Sequence, residues 1–209
     1  MILDVLVPWV TRAGLLIGIL LLSTAFTSKS QHVPLTDSAL SVAHLLSFSI
    51  WFGCAVWISF FNGVILMKLL DRKQFAGVVS VTFAAYFRLS FVCLSVALAA
   101  AAALHHRAAA AASTAAATVA AAAPRDLSTL AVALACTVLN LIFLLPRTVE
   151  VISKRLRLMQ DLGKDSNDPD PRMRKLSKRF GVFHGMSNLC NFLALGCGVY
   201  HAVGFAAHA

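Results

Sequence analysis

The chain has 209 residues, of which 59% are hydrophobic and only 13% charged, with a mean hydropathy of +0.79. Soluble domains carry about 25% charged residues, so the composition excludes an ordinary soluble fold and indicates a membrane protein. The formal net charge of +9 does not point to nucleic acid, because the cations lie in short stretches beside apolar runs, where the positive-inside rule accounts for them.

Residues 1–31 have two readings. Ala13 to Leu22 has the length of a signal-peptide core, Arg12 precedes it, and Ser23-Thr24-Ala25 supplies the small residues of a cleavage site. The apolar pattern, however, begins at Val5, and Asp4 is unusual for a signal peptide, so a fifth span over about 5–26 is the alternative. It would hold Arg12 at a depth where a charge costs about 2.5–3.5 kcal/mol. Cleavage is the favoured reading, and either one leaves residues 28–40 on the non-cytosolic side.

Four apolar runs follow, at about 44–67, 84–104, 127–145 and 182–204, none containing an acidic residue. Their length predicts an all-α four-helix transmembrane bundle occupying 40–207. The first run begins after a cap region, Thr36-Asp37-Ser38. Its Ser49, Gly53 and Gly63 share one arc, a small-residue stripe suited to close helix approach. Trp51 and Trp57 lie too deep for an interfacial belt and are expected to be packing residues. Lys68, Arg72 and Lys73 place the 67–76 connection in the cytosol.

In the second run, Phe83, Tyr86, Phe87 and Phe91 surround Arg88. Alanine dominates from Ala97 to Ala123, broken by His105, His106 and Arg107. It extends this helix beyond the bilayer and gives a low-complexity connection ending at Pro124. The third run ends at Pro146, which kinks or stops it. Beyond it Val149, Ile152, Leu156 and Met159 repeat at helical spacing opposite a basic side. An amphipathic helix over 147–162 is predicted, on the membrane surface or under the bundle, able to bind anionic lipid or a protein partner. Asp165 to Pro171 forms a polar break. The 146–180 connection carries ten Lys and Arg residues and is assigned to the cytosol, which leaves the C-terminus outside. Gly181 and Gly185 open the fourth run in GxxxG spacing, a weak motif alone.

The polar residues inside these runs are the candidate site. Asn140 lies seven residues before Arg147 on the same helix face, roughly 10 Å along the axis. His184, Asn188 and Asn191 share an arc near the cytosolic end of the fourth run, and Arg88 lies in the same half. They form either a cytosol-facing polar pocket or an interhelical hydrogen-bond network. Pro146 can expose the carbonyl of Ile142, near Asn140, for which a polar side chain of the fourth run is the natural partner. Met186, Cys190, Cys197 and His201 form a second stripe with soft-metal ligand chemistry. One ladder on one helix lacks convergent ligands, so a packing face is preferred and no metal or cofactor is expected. The five cysteines, all inside predicted spans, show no disulfide framework.

A bis-histidine site from His44 and His184 is excluded by topology, which puts them near opposite faces. The remaining histidines, His44 and His201 among them, are non-cytosolic; most are expected to be solvated or interfacial, with sensing of an acidic lumen as the alternative. Enzyme motifs are missing: Ser187 lies beside His184, but no carboxylate orients that histidine.

Several residues carry a family resemblance. They are His44-Leu45-Leu46, Ser49, Gly53, Trp57, Phe60 and Gly63 in the first run, then Arg72, Phe75, Ser80, Phe83, Tyr86 and Phe87. The most specific are Asn140, Leu144 and Pro146-Arg147-Thr148, with His184-Gly185, Ser187 and Leu189-Cys190-Asn191. In this order and spacing the chain resembles the transmembrane protein 205 family over about 44–88 and 140–204. The resemblance implies a multi-pass protein of the secretory pathway, endosomal or plasma membrane, and supplies no catalytic residues. The expected function is assistance to membrane transport or trafficking of a small solute. The alternative is a structural or adaptor subunit with a protein partner or a second copy of itself, and nucleic acid is not expected as a partner.

Overall fold

Thr36 starts the first helix: its backbone is extended (φ −65°, ψ 155°) and its Oγ1 accepts the Ala39 N–H at 3.2 Å, satisfying one donor of the first turn. The computed structural model describes residues 36–111, 123–163 and 170–207, helical throughout except at Thr36, Leu70, Asp71, Gly163 and Asp170. The N-terminal segment 1–31, read as a signal peptide or fifth span, lies outside the described residues.

The first rod comprises α1 (Asp37–Val56), a π-helical segment (Trp57–Asn62) and α2 (Gly63–Leu69). Leu70 turns extended and ends it. Asp71 and Gln74 then form a reciprocal capping box, Asp71 Oδ1 accepting from Gln74 N at 2.8 Å and Gln74 Oε1 from Asp71 N at 3.4 Å. This opens α3 (Arg72–Ala111), whose C-terminal turns include His105 to Arg107 of the alanine tract. The third rod runs from α4 (Ala123–Leu139) through a π segment (Asn140–Leu144) into α5 (Leu145–Leu162). Gly163 closes it at φ 59°, a conformation glycine adopts without steric cost. Asp170 caps α6 (Pro171–Ala207), accepting the Arg172 N–H at 2.7 Å and its guanidinium at 3.0 Å. Those Arg172 bonds hold the Asp170 carboxyl below its ordinary value.

All four rods are long and apolar enough to cross a membrane, at 33, 39, 36 and 36 residues. The protein is an integral, multi-pass, all-α membrane protein, and the four predicted spans fall inside these helices. Pro146 does not stop the third rod. It follows directly on the wide π turn, and the helix continues past it into α5. The described parts of the 146–180 stretch, 146–162 and 171–180, are consequently helical: α5 packs along α6 rather than lying free on a membrane surface.

α1 packs chiefly on α3 and α4 on α6, with α3 also meeting α4. The core they share holds Trp51, Phe87, Leu94 and Leu130, interleaved with Ala55, Ala97, Ala133 and Ala194. Small side chains at these crossings let the backbones approach, the main source of helix association where lipid is as apolar as leucine. The predicted glycine contacts are elsewhere. A Cβ added at Gly53, Gly63, Gly181 or Gly185 would meet nothing within 4 Å, and Ser49, Gly53, Gly181 and Gly185 all lie on the outer surface. The close approach occurs at Gly198, where a Cβ would lie 2.8 Å from the Phe52 ring and 3.0 Å from Trp51. Trp51 is core as expected. Trp57 is not: it faces outward, 54% exposed, stacked on Phe61.

Candidate functional site

A π turn widens a helix by one residue and persists where a local interaction compensates for the poorer backbone geometry. Both π segments here face α6. In the first, Ser59 Oγ donates to the Ala55 carbonyl at 2.6 Å and accepts from Asn191 Nδ2 at 2.6 Å. Asn191 Oδ1 in turn accepts from the Tyr86 hydroxyl at 2.6 Å, so one asparagine joins α6 to the first π segment and to α3. In the second, buried Asn140 donates to the Cys136 carbonyl at 3.1 Å and accepts from Ser187 Oγ at 2.5 Å. Ser187 and Asn191 are four residues apart and therefore on one face of α6. The two distorted turns thus meet a single turn of α6.

Next to this polar layer, toward the basic end, is a cavity of about 670 Å³. Ser59, Ser187, Asn188 and Asn191 form its inner polar wall, while Phe75, Phe83, Ile152 and Leu156 supply apolar walls from α3 and α5. Its rim carries an aromatic stack: the His184 and Phe180 rings are 5.2 Å apart and nearly parallel, and the Arg155 guanidinium lies 5.2 Å above Phe180. Asn188 Nδ2 is 3.2 Å from His184 Nε2. Arg72 lines the cavity from the start of α3.

The six polar residues proposed from sequence are distributed unevenly. His184, Asn188 and Asn191 line the cavity, and Asn140 joins its inner wall through Ser187. Arg147 is elsewhere: it lies 5.9 Å over the Phe143 ring and lines a separate cavity of about 180 Å³ with Glu150, Lys154 and Arg179. Arg88 is half-buried and lines neither cavity. The fourth-run side chains expected at the Ile142 carbonyl bond elsewhere, Ser187 to Asn140 Oδ1 and Asn191 to Ser59, while the π turn carries a Leu145 N–H to the Asn140 carbonyl. The partners that sequence reasoning missed are Ser59, Tyr86, Arg155 and Phe180. Ser59 and Tyr86 carried a usable signal, since a hydroxyl inside a span must find a partner.

At the opposite end, the expectation of solvated histidines is corrected. His44 and His201 are 4% and 3% exposed, with their Nε2 atoms 3.0 Å apart. His44 Nδ1 is 3.0 Å from the Ala97 carbonyl and His201 Nδ1 is 3.5 Å from Thr129 Oγ1. One proton arrangement satisfies the whole chain. Thr129 donates to His201 Nδ1, His201 Nε2–H donates to His44 Nε2, and His44 Nδ1–H donates to Ala97. All four rods meet in this clamp, because a buried polar ring without partners would be costly. His201 is thus engaged by Thr129 and His44, Met186 is 49% exposed, and Cys190 and Cys197 lie near Cys136 of α4. Among the described residues no cluster of three or more His, Cys, Asp or Glu side chains has a geometry that could hold a metal ion.

Comparison with known proteins places the chain in a family. The family model described as "Domain of unknown function (DUF4149)" matches residues 46–157, which contain both π segments, Tyr86, Arg72 and Arg155. The chain is also 28% identical to Transmembrane protein 205 of Danio rerio over 170 residues, covering 75% of this chain and 86% of that protein. No solved structure matches. With more than half of its length inside the family model, the chain belongs to the DUF4149 family, as a transmembrane protein 205-like multi-pass membrane protein.

Proposed function

We propose that the protein binds a small amphipathic solute in the cavity at its basic end and assists that solute's passage or trafficking at the membrane. The observation that supports this is the cavity itself. About 670 Å³ is within the range of small-molecule sites, and its apolar walls with a few convergent polar groups match their usual lining. The role is one of binding rather than catalysis, since Ser187 bonds Asn140 and no carboxylate among the described residues lines the cavity. The described stretches of the four predicted spans contain no Asp or Glu, which disfavours coupling to protons or sodium through intramembrane carboxylates.

Thermal unfolding of the full chain in a mild neutral detergent tests the reading. A panel of alkyl amphiphiles of different head groups is expected to include at least one that raises the midpoint saturably. Gly63→Leu, which fills the cavity from a position where a side chain meets no neighbour within 4 Å, is expected to abolish that rise. A protein that responds to no member of the panel and purifies with a stoichiometric partner would overturn the proposal in favour of an adaptor subunit.

A further inference from the structure

Arg155 has an unusual environment. Its Nε is buried without a hydrogen-bond partner among the described residues, although arginine's five donors are among the most demanding groups to bury. Its guanidinium face is occupied by the Phe180 ring, which leaves the in-plane N–H edge as the part able to bind something else. Arg72 lines the same cavity and lies close enough for the two positive charges to disfavour each other. No Asp or Glu among the described residues lines the cavity. Glu150 pairs with Lys154 and Asp170 with Arg172, both outside the cavity. A half-buried guanidinium with an unsatisfied Nε, on the wall of a largely apolar cavity and close to a second cation, favours an anion over a neutral or cationic group there.

We infer that the cavity is a site for an anionic head group carried on an apolar body, with a phosphate or carboxylate seated against Arg155 beside Arg72. The inference rests on the binding role proposed above and specifies its ligand class. A planar guanidinium edge matches two oxygens of a phosphate or carboxylate, and the stack Arg155–Phe180–His184 holds that edge in place. The apolar body then lies along Phe75, Ile152 and Leu156, toward the polar wall at Ser187 and Asn191. A membrane phospholipid and a soluble alkyl phosphate share this chemistry.

The test uses the full chain in neutral detergent with three probes of equal chain length: decyl phosphate, decanol and decyltrimethylammonium, with inorganic phosphate as a fourth. Decyl phosphate is expected to raise the unfolding midpoint saturably, while decanol and the cationic amphiphile do not. Arg155→Gln is expected to weaken decyl phosphate binding about tenfold or more, the loss typical of a charge-assisted hydrogen bond. Arg147→Gln, in the separate cavity, is expected to leave it unchanged. If Arg155→Gln does not fold, head-group selectivity in the unaltered protein decides the matter. Reconstitution in phosphatidylglycerol or phosphatidylcholine nanodiscs identifies the source. Retention of one phosphatidylglycerol per chain by native mass spectrometry supports a lipid, and binding of decyl phosphate without such retention supports a soluble amphiphile. Equal stabilisation by all three decyl probes, insensitive to Arg155→Gln, would overturn the anion site while leaving amphiphile binding intact. Response to no probe would overturn both, and response to inorganic phosphate alone would overturn the apolar body.

Discussion

Asn191 concentrates the interhelical bonding of the polar layer, since Tyr86 and Ser59 both depend on it. Hydrogen bonds between membrane helices average about 0.6 kcal/mol and reach about 1.7 kcal/mol. Asn191→Leu removes two and leaves two hydroxyls to find other partners, so a loss of about 1–3 kcal/mol is expected. Tyr86→Phe removes only one and should cost less. The double variant should cost less than the sum of the two single changes, because the shared bond can be lost only once. Thermal or denaturant unfolding of the four proteins measures this, and strict additivity would show that the Tyr86–Asn191 bond contributes nothing. The asparagines were legible in the sequence, because a polar group inside an apolar run is conspicuous. Their partners were not, because Ser59 and Tyr86 are 132 and 105 residues away and only three-dimensional register brings them together. The His44–His201 pair was missed for a related reason: topology put both residues at one end, but charge counting assigns a side and says nothing about which way a ring faces.

Among the elements, glycine positions separate what spacing can and cannot reveal. Gly181 and Gly185 have the GxxxG spacing, yet neither approaches another helix, while Gly198, without such a motif, lies under Phe52 and Trp51. Small-residue spacing marks a face that permits close packing; it does not supply the facing helix. Gly198→Ala must displace Phe52, itself stacked on Phe48, or the fully buried Trp51, whereas Gly185→Ala adds a methyl group to open space. Overpacking typically costs about 1–3 kcal/mol. Gly198→Ala is therefore expected to lower the unfolding midpoint and Gly185→Ala to leave it level or raise it through better helix propensity. The opposite order would mean that Gly185, not Gly198, sits at a tight helix contact. The π segments are a second case. Pro146 signalled a disturbance near 142–146, but the wide turn starts at Asn140 and lets α5 continue, which is why α5 packs along α6 and why Arg155 reaches Phe180.

At the scale of the whole molecule, the two ends differ in kind. One is closed by the histidine clamp and, outside it, by the exposed Arg107–Asp37 ion pair at 2.7 Å, a type of contact worth about 0–1 kcal/mol. The other is held apart around the cavity and carries Lys68, Arg72, Lys73, Arg147, Lys154, Arg157, Arg172, Arg174, Lys175, Lys178 and Arg179. Because α3 is about 60 Å long at 1.5 Å per residue and a hydrocarbon core is about 30 Å thick, both ends project into the aqueous phases. The charge asymmetry then predicts the orientation: the basic end faces the cytosol and Asp37 and Arg107 face away from it. A membrane-impermeant maleimide tests this in sealed cells with a cysteine introduced at either end. Lys178→Cys should be protected in intact cells and modified once the plasma membrane alone is permeabilised, whereas Ser38→Cys should be modified only where the reagent reaches the non-cytosolic side. The native thiols are buried or half-buried within the helices, which keeps their background low. Modification of Lys178→Cys from outside would invert the protein and open the cavity to the exterior. The proposed anionic ligand would then have to enter from the non-cytosolic side rather than from the cytosol or the cytosolic leaflet.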